Sequence, residues 1–520
     1  MVIAEELAKK QREISISEFF VKNRHLLGFD NPRKALLTTV KEAVDNSLDA
    51  CEESKILPEL YIEINSITDE RYNIIIEDNG PGIVKNQIPK IFAKLLYGSK
   101  FHTMKQSRGQ QGIGISAAAM YGQLTTGKST KITSKIGSKS KANYYELHLD
   151  TRTNEPEIVK EEVVEWAKTQ GTRVELEIEA KYQKGKQSVD DYLRQVAIAN
   201  PYATIIYKTP EKKKIVYERA TDELPKQAKE IKPHPYGIEL GMLIKMLKST
   251  KGRTLQAFFS KDFTRVSAKI AKIICDKAGV DIKKKPFDVS REEADRIFKS
   301  IKETKIMAPP TNCLSPIGEE SIIKGLKKEI KADFYGAVTR SPSVYRGNPF
   351  QIEAGIAYGG EIPSEDTITL IRFANRVPLL YQQSACSATK GVINTNWRNY
   401  GLSQSRGALP SGPVYLFVHI VSVWVPFTSE SKEAIAHYPE IIKQIKLALQ
   451  DVGRKLGGYI RKNIRAKEQR EKANLFEAYI PELASSLAKL SNEKKEKIEK
   501  NLKIKLKKDL PILIRNGQEE

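Results

Sequence analysis

The order of apolar and polar positions divides the chain into two mixed α/β regions with a helical region between them. In residues 29–208 candidate helices alternate with β-rich runs. Residues 235–304 carry apolar side chains at helical spacing throughout, and the α/β pattern returns from residue 317 onward. The charge-dense residues 209–232 and the proline-containing residues 309–316 interrupt these patterns. We interpret both as connections between separately packed units.

Individual elements follow from the same periodicities. The predicted helices are residues 32–53, 239–248, 264–279, 290–302 and 439–464. The predicted strands are residues 61–65, 72–77, 144–149, 172–178, 350–358, 367–373 and 414–425. Asn31 can cap the first helix, and Pro32 stands in its first turn, where proline is tolerated.

The last predicted helix has one apolar face and one basic face. Its apolar positions are Ile441, Ile445, Leu449, Val452, Leu456 and Ile460. The opposite face is rich in lysine and arginine. Residues 466–520 are also predicted to be helical, and they are highly charged.

The composition favours a folded protein that attracts polyanions. The chain has 520 residues, of which 40% are hydrophobic, so it can bury several cores. Lysine and arginine number 86 against 64 acidic residues, a net charge of +22, and nucleic acid is the first candidate partner. A basic enzyme with no such ligand is the alternative. Residues 235–304 would either lie on DNA phosphates or act as a structural spacer.

Cysteine usage and hydropathy indicate an intracellular protein. Cys51, Cys275, Cys313 and Cys386 form no CxxC pair, so neither a zinc site nor a disulfide framework is expected. The longest largely apolar run, residues 414–427, is too short to span a bilayer. Residues 1–20 lack the apolar core of a signal peptide. We expect a soluble, cytoplasmic protein that has no membrane partner.

The first candidate site motif lies on the helix predicted for residues 32–53. Asp45, Asn46 and Asp49 follow Glu42 by three, four and seven residues, so all four share one helical face. A carboxylate one turn from a carboxamide suits a general base beside a Mg²⁺ ligand, which would make Glu42 the base and Asn46 the ligand. An ordinary solvated helix face is the alternative.

The second motif is Asp78-Asn-Gly80-Pro-Gly82, directly after a predicted strand. Its glycines allow a sharp turn and close approach to a ligand. Asp78 is presented at the strand end, where it can accept a hydrogen bond from an exocyclic amine such as that of adenine. A plain hairpin turn is the alternative.

The third motif, residues 107–116, places Gly109, Gly112 and Gly114 before an alanine-rich helix. Glycines at a helix N-terminus expose backbone N–H groups to anions. The motif does not follow a strand, so it fails the context of a dinucleotide-binding fingerprint. The chain also has no phosphate-binding P-loop motif.

The order of these motifs, with Gly171-Thr172 as a fourth element, resembles the ATPase superfamily of gyrase, Hsp90, sensor histidine kinases and the MutL mismatch-repair proteins. The resemblance implies that Glu42 is the general base, that Asn46 holds Mg²⁺ and that Asp78 binds the adenine of ATP. It places Gly80 and Gly82 around that pocket, Thr172 beside the adenine, and Ser99 and Lys100 against the nucleotide. The implied lid over the phosphates comprises Arg108, Gly109, Gln110, Gln111, Gly112, Ile113, Gly114, Ile115 and Ser116.

Longer blocks at residues 17–32, 97–127 and 373–380 resemble the B subunits of type IIB topoisomerases (topoisomerase VI). This resemblance implies an α/β multidomain chain with a Bergerat-type ATPase sandwich, a helix-two-turns-helix insert and a transducer that has a right-handed βαβ crossover and a long C-terminal helix. The implied divisions are residues 1–20 (a strap), 21–230 (ATPase), 231–306 (insert), 307–470 (transducer) and 471–520 (a tail contacting the A subunit). It also implies that Lys432, in a loop after a buried strand, reaches the γ-phosphate; a surface lysine is the alternative.

The implied activity is ATP binding and hydrolysis that gates the passage of double-stranded DNA and relaxes supercoils. Two copies would dimerise on binding ATP, with residues 1–15 crossing to the partner copy, in an A2B2 heterotetramer with a DNA-cleaving A subunit. Three rival functions remain. A sensor kinase would need a phosphoacceptor histidine before the first motif, where only His25 stands. A chaperone or mismatch-repair ATPase would lack the longer blocks, and a scaffold without turnover would not need Glu42.

Overall fold

The computed structural model describes residues 7, 8, 11, 13–100, 103–109, 112–364, 366–429, 431–491 and 493–516, with side chains as far as residue 506 except at residue 473. Gln110 and Gln111 of the predicted lid lie outside the described residues, as do residues 1–6, 9, 10 and 12 of the predicted N-terminal strap.

An eight-stranded sheet forms the centre of the first unit. Its strands are β1 (Glu59–Thr68), β2 (Arg71–Glu77), β3 (Thr130–Lys135), β4 (Ala142–Asp150), β5 (Glu155–Val164), β6 (Gly171–Glu179), β7 (Thr204–Lys208) and β8 (Lys214–Tyr217). They are arranged in the order β5-β4-β3-β6-β2-β1-β7-β8. β1 and β7 are parallel, and the other neighbouring pairs are antiparallel. The predicted connection at residues 209–232 therefore contains an edge strand, β8.

Helices pack against this sheet and build the first core. They are α1 (Ile16–Lys22), α2 (Pro32–Glu53), α3 (Ile88–Phe92), α4 (Gly114–Thr126) and α5 (Val189–Ala199). Alternate residues of β1, including Ile62 and Ile64, are buried in a core with Val40 and Leu48 of α2. The predicted start of α2 is confirmed, because the Asn31 side chain accepts a hydrogen bond of 2.9 Å from the backbone of Lys34 and Pro32 is the first helical residue.

Four helices make the second unit, which has its own apolar core. They are α6 (Leu240–Ser249), α7 (Leu255–Asp262), α8 (Ala268–Ala278) and α9 (Arg291–Glu303). Phe258 and Phe259 of α7 are fully buried there with Ile274 and Ile297. The sequence predicted this whole region to be helical but did not delimit α7, because eight residues give too few turns to establish a helical period.

The third unit is built on a second sheet. Its strands are β9 (Phe334–Thr339), β10 (Ser343–Tyr345), β11 (Asn348–Tyr358), β12 (Thr369–Ala374), β13 (Val377–Pro378) and β16 (Val414–Ser422), while β14 (Ser403–Gln404) and β15 (Pro410–Ser411) pair separately. Its helices are α10 (Glu319–Glu329), α11 (Ser387–Ile393), α12 (Pro439–Ser491) and α13 (Lys495–Asn516). β12 and β16 are parallel neighbours, and the chain between them includes α11, which makes a βαβ connection.

The long helix α12 begins as predicted but is much longer. Ile441, Ile445 and Leu456 are buried against the second sheet. The prediction that the helix ends at residue 464 is wrong, since it continues to Ser491. Residues 465–474 interrupt the apolar stripe of α12, but they are rich in strong helix formers, and α13 packs against α12.

The first and third units are packed directly together through α5 and α10. Ile198 of α5 is buried in one cluster with Ile322 and Leu326 of α10. A Cβ atom at Gly325 would overlap the backbone oxygen of Ile198, so the glycine permits this close approach. The contact brings loops of the second sheet to the edge of the first unit. Across the described part of the chain, every helix is too short or too polar to cross a membrane.

Candidate active site

A cavity of about 660 Å³ lies between α2, the end of β2, the lid and two loops of the third unit. The predicted site residues that line it are Glu42, Asn46, Asp78, Gly82, Ser99, Lys100, Gly109, Gly112, Ile113, Gly114, Ile115, Ser116, Thr172 and Lys432. Gly80 and Arg108 are not among the lining residues. The chain thus brings together residues from motifs almost 400 positions apart.

Asp78 lines the cavity and is held by a set of directed hydrogen bonds. Its Oδ2 accepts from the Ser47 hydroxyl at 2.8 Å, and its Oδ1 accepts from the backbone N–H groups of Gly80 at 2.9 Å and Thr172 at 3.1 Å. Burial raises the pKa of Asp78, although these donors oppose the shift. Gly80 therefore acts on the site by orienting the carboxylate.

Two glycines allow the backbone to close around Asp78. Gly171 has φ 133°, and a Cβ atom there would overlap the backbone oxygen of Asp78. Gly82 has φ 72°, and its Cβ would overlap the backbone oxygen of Lys135. Side chains at these positions would push the strand ends apart.

The polar face of α2 divides into two parts. Glu42 and Asn46 line the cavity, whereas Asp45 and Asp49 are buried away from it. Burial raises the pKa of Asp45 to about 7, and its Oδ1 accepts a hydrogen bond of 3.1 Å from Tyr192. These two aspartates are therefore not part of a solvated helix face.

Asp49 is an ionised carboxylate between two cations. Lys100 Nζ lies 2.6 Å from one of its oxygens, and Arg108 Nη1 lies 2.8 Å from the other. Burial alone would raise the pKa of Asp49, but these two cations lower it to about 2. Lys100 consequently faces both the cavity and α2.

The Arg108 side chain points away from the cavity. Its guanidinium donates to Asp49, to Glu52 at 2.6 Å and to Asn200 at 2.5 Å. Burial disfavours its charge, but the neighbouring carboxylates, Glu52 foremost, raise the pKa of Arg108 well above its usual value. Sequence reasoning placed Arg108 on the nucleotide and missed Glu52 and Asn200, because no local pattern links residues so far apart.

Glycines of the lid approach the face of α2 that carries Glu42 and Asn46. A Cβ atom at Gly114 would overlap the carboxylate of Glu42, and one at Gly109 would lie 3.7 Å from Oδ1 of Asn46. The lid backbone thus lies directly over both side chains, with its helix α4 starting at Gly114. Backbone N–H groups at this helix start suit an anion.

Lys432 enters the cavity from a tight loop of the third unit. Its φ is 54°, and its N–H donates to Ser429 at 3.1 Å, which fixes the turn. Its Nζ donates to the backbone oxygen of Arg108 at 3.4 Å. Burial lowers the pKa of Lys432, and the Glu42 carboxylate opposes this shift. The side chain is half-buried at the cavity, so it is not an ordinary solvated surface lysine.

Further contacts that the sequence did not predict hold the Lys432 loop to the first unit. Glu433 is buried and lies 2.6 Å from Lys34 of α2, and it also accepts from Gln382 at 2.7 Å. Leu380 and Tyr381 of the third unit form part of the cavity wall. The cavity is therefore shared between two units.

Within the described residues, no group of three or more His, Cys, Asp or Glu side chains is arranged to hold a metal ion. All four cysteines are buried and free.

Comparisons with known proteins identify the family. The family model for the histidine kinase-, DNA gyrase B-, and HSP90-like ATPase matches residues 31–182, and the model for the topoisomerase VI B subunit transducer matches residues 309–472. The type 2 DNA topoisomerase 6 B subunit of Methanococcoides burtonii is 53% identical over 487 residues, which cover 94% of this chain and 78% of the relative.

The chain belongs to the family of type 2 DNA topoisomerase 6 B subunits. The corresponding B subunit of Archaeoglobus fulgidus is also similar, with 48% identity over 93% of this chain and 80% of the relative. The likeness to the solved 43K ATPase domain of Thermus thermophilus gyrase B is much weaker, at 12% identity and a TM-score of 0.39 over 86% of this chain and 91% of that one.

Family membership settles the general function. A topoisomerase 6 B subunit with this ATPase region is the ATP-dependent subunit of a type II DNA topoisomerase. The chaperone and mismatch-repair alternatives are not favoured, because the transducer match and the relatives point to topoisomerase 6.

Proposed function

We propose that the chain binds Mg²⁺–ATP in the 660 Å³ cavity and hydrolyses it to gate the passage of double-stranded DNA, together with a DNA-cleaving A subunit. The proposal rests on one observation: a single cavity is lined by Glu42, Asn46, Asp78 and Lys432 and by the glycines of the lid. One end of the cavity suits a purine and the other suits phosphates.

Asp78 is the proposed adenine anchor. Its carboxylate is fixed by Ser47, Gly80 and Thr172 and also lines the cavity. A carboxylate accepts but does not donate, so it matches the exocyclic amine of adenine. Gly82 and Thr172 would lie against the same ring.

The lid and three cationic or hydroxyl side chains are the proposed phosphate ligands. Gly109, Gly112, Ile113, Gly114, Ile115 and Ser116 line the cavity at the start of α4, where N–H groups point outward. Gln110 and Gln111 complete the same lid in the proposal. Ser99 and Lys100 stand at its beginning, Lys432 would contact the γ-phosphate, and Arg108 would contribute through its backbone.

Asn46 is the proposed protein ligand of Mg²⁺. Its side-chain oxygen lies beside Gly109 on the wall that also carries Glu42. A single carboxamide oxygen fits Mg²⁺, which takes oxygen ligands and usually keeps several waters and phosphate oxygens. When bound, the ion would neutralise phosphate charge.

Glu42 is the proposed general base. Its carboxylate is held one helical turn from Asn46 and beneath the backbone of Gly114. From there it would accept a proton from the water that attacks the γ-phosphate. Lys432 would stabilise the negative charge that develops on that phosphate.

The proposed assembly is an A2B2 heterotetramer in which two B subunits dimerise on binding ATP. Residues 1–15 would cross to the partner copy, and α12 with the tail would reach the A subunit. The net charge of +22 supports contact with DNA. Three apolar cores support the proposed units 21–230, 231–306 and 307–470, and the strap 1–20 and the tail 471–520 complete the proposed division.

Glu42→Gln tests the catalytic centre. The variant should still bind ATP and dimerise with it, because the adenine and phosphate contacts remain. Phosphate release should fall by about a hundredfold or more, the usual contribution of a general base. The control is Glu70→Gln, an exposed site in the turn after β1. Normal turnover by Glu42→Gln would remove Glu42 from the mechanism.

A further inference from the structure

The segment that leads into the lid, residues 104–108, shares Arg108 with it and is bound by parts of the chain outside the ATPase region. We call this segment the lid arm. The N–H of Gln106 donates to the backbone oxygen of Cys313 at 3.1 Å, and the Gln106 side chain accepts from the N–H of Ser315 at 2.6 Å. The arm therefore follows the third unit as well as the ATPase sheet.

A turn between β12 and β13 holds the next residue of the arm. Asn375 Nδ2 donates to the backbone oxygen of Ser107 at 3.1 Å and to that of Ser422 at 2.9 Å. Asn375 and Arg376 have φ values of 48° and 68°, which an arginine rarely adopts. Such strain persists when surrounding contacts hold it, as at functional sites.

Arg376 completes a buried charge cluster across the two units. Its Nη1 lies 3.0 Å from Oε2 of Glu52, and its Nη2 donates to the backbone oxygen and hydroxyl of Ser315 at 2.8 and 2.7 Å. The other oxygen of Glu52 receives Arg108 of the lid arm. Arg376 is 4% exposed and Arg108 is 6% exposed, so salt should screen the pairing only weakly.

On its other side, the turn at Asn375 and Arg376 is hydrogen-bonded to strands of the second sheet. The N–H of Arg376 donates to Nε2 of His419 at 2.9 Å, and Nδ1 of His419 lies 2.8 Å from Glu353. Glu353 also accepts from the N–H groups of Ile317 and Gly318. A displacement of this sheet must therefore move Arg376 with it.

Two loops of the third unit thus hold consecutive carbonyl oxygens of the lid arm. Lys432 donates to Arg108, and Asn375 donates to Ser107. Lys432 also lines the nucleotide cavity, whereas Asn375 and Arg376 do not. A nucleotide can compete directly for the first contact but not for the second.

We propose that Arg376, with Asn375, is a positioning residue that couples the third unit to the lid independently of the γ-phosphate contact of Lys432. Through Glu52 and Arg108 it sets the position of the lid arm, and so of the lid over the phosphates, without touching ATP. This proposal rests on the proposed ATPase function of the cavity.

The test uses the full chain carrying Arg376→Gln, with Glu52→Gln and the double variant for comparison. Arg340→Gln is the matched control, because Arg340 pairs at 2.5 Å with Asp451 inside the third unit. The readouts are kcat and KM for ATP, and the distance between dyes on the ATPase sheet and on α12. Exposed Lys160 and Glu468 can be replaced by cysteine for labelling, since the four native cysteines are buried.

Arg376→Gln should lower kcat roughly tenfold, within the usual range of coupling between sites, while KM changes less than about twofold. The nucleotide-dependent change in dye distance should shrink, and adding Glu52→Gln should cause less than an additive further loss. Arg340→Gln should behave like wild type. Together these results would support the coupling role.

Wild-type kcat and dye response in Arg376→Gln would overturn the proposal, as would an equal loss in Arg340→Gln. So would a fall in thermal stability with kcat and distance response intact, which would mark a purely structural role. The ATPase proposal fails in a different way, by an absence of hydrolysis in the wild-type chain itself.

Discussion

The carboxylate of Glu42 occupies the space that a side chain at position 114 would need. A Cβ atom added at Gly114 would lie 2.5 Å from Cδ of Glu42 and closer still to Oε2. The first residue of α4 and the middle of α2 therefore approach closely, and a glycine at position 114 leaves room for this carboxylate.

Gly114→Ala should displace Glu42 and slow ATP hydrolysis by about a hundredfold, the scale expected when a catalytic group moves by about 1 Å. ATP affinity should change much less, because the hydrogen bonds that hold Asp78 do not involve Gly114. Steady-state kinetics and equilibrium nucleotide binding measure the two effects. Gly137→Ala is the control, since its Cβ would meet nothing within 4 Å. Unchanged turnover in Gly114→Ala would show that the close approach of Gly114 to the Glu42 carboxylate does not matter for hydrolysis.

Lys432→Ala should slow hydrolysis by about a hundredfold through loss of a charged donor at the phosphates. The fold should remain, because the Lys432 side chain makes one long hydrogen bond, to Arg108 at 3.4 Å. Phosphate release and thermal unfolding provide the measurements, with the exposed Lys443→Ala as the matched variant. A rate and an ATP affinity equal to those of wild type would contradict the proposed contact with the γ-phosphate.

Asp78→Asn should reduce ATP affinity by about 10- to 100-fold, corresponding to the loss of a charged hydrogen-bond acceptor. The amide oxygen can still accept from Gly80 and Thr172, so the fold should survive. Its NH₂ group would then face the amine of adenine, donor against donor. Calorimetric titration with ATP and GTP would show the effect, and wild type should prefer ATP. Undiminished ATP binding by the variant would rule out Asp78 as the adenine anchor.

His419 should make the stability of the chain sensitive to mild acid. Its Nε2 accepts from the N–H of Arg376, so Nδ1 carries the proton that is donated to Glu353. Burial lowers the pKa of His419 despite Glu353, and the charges of Arg376 and Arg108 act in the same direction. The ring therefore stays neutral in the folded chain when it would already be protonated in the unfolded one.

Because the unfolded state binds the additional proton, the free energy of unfolding should fall as the pH drops below the unfolded value near 6.5. The loss is at most about 1.4 kcal/mol per pH unit. Denaturant unfolding of wild type and His419→Gln at pH 7.5 and 5.5 should show their difference shrinking in acid. The exposed His437→Gln serves as the control. A difference independent of pH would mean that His419 is not the titrating group.

Short-range patterns carried most of what the sequence could predict. The cap of α2 at Asn31, the shared face of Glu42 and Asn46, and the strand-end position of Asp78 all depend on spacings of a few residues. Such spacings fix local geometry, and the order of the motifs then pointed to a family whose members place them around one site.

The contacts that the sequence could not predict join distant positions. Glu52 and Arg376 are 324 residues apart, and nothing in either local pattern indicates that they pair. The same limit applies to Arg108. Its motif suggests that it binds an anionic ligand, but its guanidinium forms salt bridges with Asp49 and Glu52. Tertiary packing, and not periodicity, decides where these charges lie.

The length of α12 turns small rotations into large displacements. The helix begins at Pro439, seven residues after Lys432, and has 53 residues, so at 1.5 Å per residue it is about 80 Å long. A rotation of about 10° at its packed end would carry the far end through about 14 Å, more than the width of the major groove of DNA. A small rotation near the cavity, which need not break a hydrogen bond there, would thus move the far end of α12 by a distance comparable to the width of a DNA groove.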